Sequence, residues 1–329
     1  MMSRSALPGP NLSEYLDVHS LDHFEKVKSL YEYQVKNNPV LRSFVKTAGR
    51  PLKIERWEDI TFLPVQAFKD HDVISGNWSV EKVFLSSGTS QQSRSRHLIP
   101  DLSWYHKRTE KCFTERFDKV QKFRHLVFMP FYRENPQSSL LEMMSHFLEL
   151  SGHQGSNFVD SEDELDRLIR QGDESNTIVW TVTFGLLDYL RNSRLEKLQN
   201  LTFIETGGMK GRRKEESRME IHQNVKKRWP RVRVYSEYGM CEMISQAYSE
   251  QETFTCPSGL LVVGNELDDP FRYRLEGRNL QLNFIDMANV HSCAFLATQD
   301  LGSVYGETMF SVEGRVQSAD LRGCNLMYE

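Results

Sequence analysis

The sequence lacks the patterns that mark several common classes of protein. Its five cysteines, Cys112, Cys241, Cys256, Cys293 and Cys324, are scattered, with no CxxC pair and no HExxH motif. It therefore predicts neither a disulfide framework nor a zinc site. No apolar run approaches the roughly 20 residues of a membrane span, and the N-terminus lacks the apolar stretch of a secretory signal. We expect a chain without a membrane span, in the reducing cytoplasm.

An excess of positive charge is also missing. Lys and Arg total 41 and Asp and Glu total 45, which gives a formal net charge of −4. Such a chain has no overall basic field to hold a nucleic-acid backbone or an anionic membrane, so we expect neither as a partner. Its 329 residues, 39% of them hydrophobic, are enough for one large or two ordinary domains with a substantial core.

The middle of the chain alternates short apolar runs with amphipathic or charged stretches. Apolar runs that predict strands lie at 83–85, 125–130, 156–160, 177–183, 201–206 and 231–236. Segments that predict helices include 138–152, the acidic stretch ending at 171, the stretch ending at 190, and 212–229. This alternation argues for a parallel sheet covered by helices.

The rest of the chain differs from this middle part. Segments 259–263 and 271–298 read as strands and hairpins, which predicts a β-rich C-terminal subdomain. We therefore expect an α/β fold in three segments. These are an N-terminal helical segment (1–80) packed on the core, an α/β core (81–255), and a β-rich subdomain with a C-terminal tail (256–329). The last two are expected to form one structural unit.

Glycine-rich and polar segments follow several of the predicted strands. ETGGMKG (205–211) and SEYGMCE (236–242) lie where ligands bind in parallel sheets. The loop SSGTSQQSRSRH (86–97) offers hydroxyls around a glycine and could wrap phosphate with amides and hydroxyls. It is not a Walker A loop, because the GxxxxGK[ST] pattern is absent. Alone, such a loop is more typical of a surface turn.

Taken together, these motifs resemble a known superfamily. SSGTS (86–90), SEYGMCE (236–242), TQD (298–300) and EGR (313–315) are similar to motifs of the adenylate-forming acyl-CoA synthetases and adenylation domains. A narrower resemblance, to the LuxE-type acyl-protein synthetases (the long-chain-fatty-acid–luciferin-component ligase family), rests on four segments. These are FLPVQAFKDHDVIS (62–75), TGGMKGR (206–212), SEYGMCEMISQAY (236–248) and DLRGCN (320–325). The resemblance implies the large N-terminal domain of adenylate-forming enzymes, and we expect the small C-terminal lid to be lacking.

The resemblance implies a site for ATP and Mg²⁺. The residues implied to bind ATP or AMP are Ser86, Ser87, Gly88, Thr89, Ser90, Gly207, Gly208, Glu237, Tyr238, Gly239, Asp300 and Arg315. Within this set, the two glycines at 207 and 208 would lie against the adenine, and Tyr238 would stack nearby. Asp300 would accept from the ribose hydroxyls, and Arg315 would donate to ribose or phosphate.

Three residues are implied to act on the phosphates, and one of them, like the two residues implied to bind the ribose, has a simpler structural alternative. Thr89 would be the leading hydroxyl, Glu242 would hold Mg²⁺ as a hard oxygen ligand, and Lys210 is a possible substitute for the lysine of the lid. Alternatively, Glu242 caps a helix, Asp300 starts a turn, and Arg315 pairs with a neighbouring glutamate, Glu313.

The phosphate loop departs from the superfamily pattern after Ser90. Gln91, Gln92 and Ser93 stand where the superfamily often has a second Gly and a Lys, so Arg94 or Arg96 is the candidate replacement for that charge.

The LuxE-type resemblance implies the acyl acceptor. Cys324 would take the acyl group from acyl-AMP as a thioester and pass it to a partner protein such as a reductase or carrier. Two alternatives stay open. In a phenylacetate-type acyl-CoA ligase, the CoA thiol replaces Cys324. In a nucleotide-binding structural subunit of an acyl-transfer complex, the chain has no catalysis of its own.

Overall fold

The computed structural model describes residues 12–87, 94–129, 135–172, 176–207 and 217–315. The strands are β1 (Leu63–Pro64), β2 (Lys82–Leu85), β3 (Arg96–Ile99), β4 (Arg124–Phe128), β5 (Asn157–Val159), β6 (Thr177–Val182), β7 (Gln199–Thr206), β8 (Arg231–Tyr238), β9 (Ala247–Ser249), β10 (Thr253–Thr255), β11 (Leu260–Asn265), β12 (Tyr273–Arg274), β13 (Glu276–Asp286), β14 (Phe295–Tyr305) and β15 (Met309–Arg315). The helices are α1 (Phe24–Asn37), α2 (Pro39–Thr47), α3 (Ala67–Asp70), α4 (Leu102–Arg116), α5 (Ser139–Ser151), α6 (Glu162–Arg170), α7 (Thr183–Asn192) and α8 (Arg218–Arg228).

These elements form two compact units that are interleaved along the chain. The first unit comprises the described residues within 1–108, 240–245 and 256–329, and the second those within 109–239 and 246–255. The sequence predicts three consecutive segments instead, and their boundaries stay a prediction.

The second unit is built on a parallel sheet. Its strands run in the order β5-β4-β6-β7-β8, every neighbouring pair being parallel, and β9 and β10 continue the sheet antiparallel. The α/β fold and its parallel sheet, predicted from the alternation of strands and helices, are confirmed.

Helices cover both faces of this sheet. Successive side chains of a strand point to opposite sides, so each strand can pack against helices on both faces. On one face, the ring of Phe203 on β7 stacks on Trp229, just past α8, with centroids 6.0 Å apart and planes at 15°. On the other face, Trp180 on β6 packs against Phe113 of α4 and Phe147 of α5. These aromatic cores hold the strand ends, and therefore the loops that follow them, in place.

Local sequence signals set the helix ends. Ser138 caps α5 by accepting from the amide of Leu141, and Gly152, with φ 61°, ends that helix in the left-handed region. Ser217 and Glu220 form a reciprocal capping box at the start of α8. The predicted helix over 212–229 is therefore observed from Arg218 to Arg228, and residues 212–216 lie outside the described ranges.

The first unit carries an antiparallel sheet. Strands β12-β11-β13-β14-β15 pair in that order, and the short β1 pairs parallel with β14. This sheet confirms the predicted β-rich region after residue 256. Strands β2 and β3 form a separate antiparallel hairpin, with Phe84 opposite His97 and Leu85 opposite Arg96. The hairpin brings together the two ends of the Ser-rich loop.

Within these described ranges, no helix is long and apolar enough to cross a membrane.

Candidate active site

The base of the Ser-rich loop is closed by hydrogen bonds between its two ends. The amide of Ser86 donates to the carbonyl of Ser95 at 3.1 Å, and the amide of Ser95 donates to the Ser86 hydroxyl at 2.9 Å. The Arg94 guanidinium donates to the Ser86 carbonyl, whereas Arg96 forms an ion pair with Asp72. The fold thus pre-shapes the loop base. Ser87 is exposed.

Three of the loop residues implied to bind phosphate, Gly88, Thr89 and Ser90, lie outside the described residues, as do Gln91 to Ser93. Their roles stay predictions.

Glu242 is buried in the first unit, with 7% of its surface exposed. Burial raises the pKa of its carboxyl, while the Ser95 hydroxyl, its own backbone, Arg315 and Lys69 act in the opposite direction. The residue lies in a turn in which the amide of Met243 donates to the carbonyl of Met240. No helix begins there, so the alternative role of a helix cap is wrong.

Asp300 and Arg315 face each other on neighbouring strands. They are register partners on β14 and β15, and the Arg315 Nε donates to Asp300 Oδ1 at 2.7 Å. Asp300 is buried within β14, so it does not start a turn. Glu313 accepts from the hydroxyls of Ser303 and Ser311, so Arg315 pairs with Asp300 rather than with Glu313.

The first unit therefore places several of the implied site residues in one electrostatic neighbourhood. The Ser95 hydroxyl and the charge of Arg315 both lower the pKa of Glu242 against the effect of burial, and Asp300 accepts a hydrogen bond from the Arg315 guanidinium. Ser95 and Lys69 were not predicted, because nothing in the local sequence shows which side chains will face Glu242.

In the second unit, Gly207 directly follows strand β7. Its φ of +81° lies in the left-handed region that favours glycine, and an added Cβ would meet open space there. The Thr183 hydroxyl lies 2.9 Å from the Gly207 carbonyl oxygen. Gly208 and Lys210 lie outside the part of the chain that the structure describes.

Glu237 is buried at the end of β8, beside a second buried carboxylate. Burial, reinforced by the charge of Glu205, raises the pKa of Glu237 to about 7, although the Thr206 hydroxyl donates to its carboxylate and Arg218 favours ionisation. Because β7 and β8 are adjacent parallel strands, with Thr206 opposite Glu237, these groups meet at one sheet edge. The pairing of Glu237 with Glu205 could not be predicted from the sequence, because strand adjacency is not visible in local sequence.

Glu205 is satisfied by its own set of donors. The hydroxyls of Ser236 and Thr183 donate to its two carboxylate oxygens, and the Arg218 Nε lies 3.5 Å from Oε1. A buried carboxylate of this kind is stable only when such partners surround it.

The two residues that follow Glu237 in SEYGMCE (236–242), Tyr238 and Gly239, are shaped by packing. The Tyr238 ring is buried, with its centroid 5.7 Å from that of Phe254 and the planes at 60°. A Cβ added to Gly239 would lie 2.6 Å from Glu237 Oε1, so the glycine leaves room for that carboxylate. Stacking of Tyr238 near an adenine stays a prediction.

The cysteines of the described residues are buried. Burial raises the pKa of Cys241 well above its ordinary value and that of Cys293 to about 12, which disfavours the nucleophilic thiolate. Cys324, the predicted acyl acceptor, lies outside the described residues.

Comparison with known proteins identifies the fold. No family model matches the chain, and no curated protein matches it in sequence. Among solved structures, it is similar to an open conformation of 2-hydroxyisobutyryl-CoA ligase in complex with 2-HIB-AMP and CoA. The TM-score is 0.64 at 11% identity, over 96% of this chain and 75% of that one. The chain has the α/β fold of the N-terminal domain of adenylate-forming enzymes.

Two further similar structures have TM-scores below 0.5, so they add nothing to that assignment. One is o-succinylbenzoate coenzyme A synthetase from Bacillus subtilis in complex with ATP and magnesium ion, with a TM-score of 0.49 at 14% identity, over 80% of this chain and 54% of that one. The other is a nonribosomal peptide synthetase in its AMPPNP-bound form, with a TM-score of 0.45 at 12% identity, over 72% and 27%. The chain thus spans about half of the o-succinylbenzoate coenzyme A synthetase. The LuxE-type resemblance stays a prediction.

Proposed function

We propose that this protein uses ATP to convert a carboxylic acid, such as a fatty acid, into an acyl-adenylate. The observation that carries the proposal is the buried Glu242 carboxylate, in a fold of the adenylate-forming kind. The Ser95 hydroxyl and the charge of Arg315 both lower the pKa of this carboxyl against the effect of burial. The Asp300–Arg315 pair lies on neighbouring strands of the same unit.

The residues at Glu242 fit a bound Mg²⁺. A carboxylate is the hard oxygen ligand that this ion prefers, and the ion usually keeps waters and phosphate oxygens as its other ligands. The described ranges contain no group of three His, Cys, Asp or Glu that could hold a metal, so Glu242 is proposed as a single protein ligand. Bound there, Mg²⁺ would offset the phosphate charge that grows in the transition state.

The reaction needs little covalent chemistry from the protein. A carboxylate oxygen of the acid forms a bond to the α-phosphorus of ATP, and the bond from that phosphorus to the pyrophosphate breaks. Glu242 would orient the phosphates through the ion, and Arg315 and the loop hydroxyls would donate to them. Lys210 is a further candidate cation. The products are an acyl-adenylate and pyrophosphate.

The second half of the proposal is transfer to a thiol. The Cys324 thiolate would attack the acyl carbonyl, AMP would leave, and the thioester would then pass its acyl group to a partner protein. Support for this step comes from the LuxE-type resemblance of DLRGCN (320–325).

One observation favours a second candidate function, an acyl-CoA ligase. The similar structure with the TM-score of 0.64 is a CoA ligase that holds an acyl-adenylate and CoA. In that case the CoA thiol, rather than Cys324, would attack the acyl-adenylate.

Carboxylate-dependent ATP–pyrophosphate exchange tests the adenylation step. Acids from two carbons to long chains, together with aromatic acids, would be screened with wild type, Glu242→Gln and Glu307→Gln. Glu307 is the matched control, because its carboxylate also accepts a hydrogen bond, from the Leu21 amide at 2.7 Å. We expect exchange with at least one acid and a loss of about 100-fold or more in Glu242→Gln only. No exchange with any acid would refute catalysis and favour a non-catalytic nucleotide-binding subunit.

Labelling with the acid identified by exchange separates the two thiols. Radiolabel that stays on wild-type protein without CoA, and is absent from Cys324→Ser, supports the acyl-protein synthetase. Product formation that requires CoA and is equal in the two proteins supports the acyl-CoA ligase.

A further inference from the structure

The 241–245 segment, which carries Glu242, is held by buried side chains from outside it. It belongs to no helix or strand, so no ladder of backbone hydrogen bonds fixes its shape. Asp286, at the end of β13, accepts from the amides of Ile244 at 2.9 Å and Ser245 at 3.1 Å, and the Ser245 hydroxyl donates to its other oxygen. This carboxylate anchors the second half of the segment.

Asn289 and His97 hold the first half. The Asn289 side-chain amide donates to the carbonyl of Glu242 at 2.8 Å, and its oxygen lies 3.2 Å from His97 Nε2. His97 Nδ1 donates to the carbonyl of Cys241 at 2.7 Å. Both side chains are almost fully buried, at 1% exposure for His97 and 2% for Asn289. Buried hydrogen bonds of this kind restrict a backbone more than exposed ones do, since water cannot replace the partner.

The hairpin that closes the Ser-rich loop is part of this arrangement. His97 lies on β3 opposite Phe84, and two residues earlier the carbonyl of Ser95 accepts from the Cys241 thiol at 3.8 Å. One stretch of three residues therefore touches the segment twice, through the side chain and through the backbone of Cys241. A shift of the hairpin would be transmitted to both.

We propose that His97 and Asn289 are positioning residues that orient Glu242 by holding the carbonyls of the two peptide groups that flank its Cα. The two carbonyls of Cys241 and Glu242 set the direction in which the Glu242 side chain leaves the backbone. This inference rests on the proposed function, in which Glu242 holds Mg²⁺ against the phosphates.

The decisive variant is Asn289→Asp, which removes the N–H donor to the Glu242 carbonyl at nearly constant size. Asn265→Asp is the matched control, because that buried amide also donates to a backbone carbonyl, the carbonyl of Glu266 at 2.7 Å. Exchange would be followed against Mg²⁺ and ATP concentration, with the melting temperature of each variant. We expect Asn289→Asp to raise the apparent Mg²⁺ activation constant at least 10-fold and to lower kcat by about 100-fold. Asn265→Asp should change neither by more than about 3-fold.

A second pair of variants tests His97 by conservative rescue. The amide nitrogen of an asparagine can occupy the place of His97 Nδ1 and still donate to the Cys241 carbonyl, whereas a leucine cannot. His97→Asn should therefore recover at least 10-fold in kcat relative to His97→Leu, at a similar melting temperature.

The outcomes separate the two claims. If wild type catalyses exchange but Asn289→Asp and Asn265→Asp have equal Mg²⁺ activation constants and equal kcat values, the positioning role alone is overturned. Equal kcat values for His97→Asn and His97→Leu would remove His97 from it. Failure of wild type to exchange with any acid would overturn the proposed function and this inference with it.

Discussion

Glu237→Gln should change how the stability of the protein depends on pH. Burial and the neighbouring Glu205 raise the pKa of Glu237 from 4.5 to about 7 in the folded protein. The folded state therefore keeps its proton between these values, whereas the unfolded chain loses it near 4.5. As pH rises through this window, the free energy of unfolding falls, and the full loss is present above pH 7.

The size of the loss follows from the two pKa values. The difference between about 7 and 4.5, at about 1.4 kcal/mol per pH unit, corresponds to about 3–4 kcal/mol. Gln keeps the shape of a protonated carboxyl and has no proton to lose, so Glu237→Gln should escape this loss. Its melting temperature should match that of wild type near pH 4.5 and exceed it by about 5–10 °C at pH 8.

Thermal unfolding of the two proteins, followed by circular dichroism at pH 5, 6, 7 and 8 and constant ionic strength, measures the effect. Thr206→Val provides a second check, because the Thr206 hydroxyl donates to Glu237 and lowers its pKa. Without that donor, the pH-dependent loss of stability should extend to higher pH. A difference between Glu237→Gln and wild type that is the same at pH 5 and pH 8 would refute the reasoning.

Two further predictions concern neighbouring positions. Gly239→Ala places a Cβ 2.6 Å from Glu237 Oε1 and should destabilise the protein by about 1–3 kcal/mol. In chemical denaturation, the double variant Glu237→Ala/Gly239→Ala should lose less stability than the sum of the losses of the two single variants. Strict additivity would count against the clash. Arg315→Ala should raise KM for ATP at least 10-fold in the exchange assay. Its melting temperature should change little, because the Arg315 side chain is 76% exposed and exposed ion pairs add little stability. An unchanged KM would remove Arg315 from the nucleotide site.

The parallel sheet could be predicted from the sequence because its signals are local. Runs such as 125–130 and 201–206 are apolar enough to be buried on both faces, and Ser138 marks the start of α5 directly. Each signal depends on neighbours within a few residues. The observed elements Arg124–Phe128 and Gln199–Thr206 differ from the predicted ones by no more than two residues at either end.

The surroundings of the candidate site could not be predicted in this way. Glu205 meets Glu237 because β7 and β8 are neighbours, and Asp286 reaches Ser245 across more than 40 residues of chain. Such contacts depend on strand order and register, which the pattern of apolar residues does not specify. The resemblance to adenylate-forming enzymes named Glu242, but it said nothing of His97 or Asn289, which hold its backbone.

The two glutamates of SEYGMCE have different electrostatic surroundings, which suits them to different tasks. Burial raises the pKa of both carboxyls. For Glu237, the negative charge of Glu205 adds to this effect, although Arg218 opposes it. For Glu242, no carboxylate is among the groups that shift the pKa, and Arg315 and Lys69 both act against burial by favouring the ionised form. The ionised form is the one that binds a cation, so Glu242 is the better metal ligand. Accordingly, Glu242→Gln should lose far more exchange activity than Glu237→Gln at pH 6, where Glu237 is largely protonated; equal losses would contradict this division of roles.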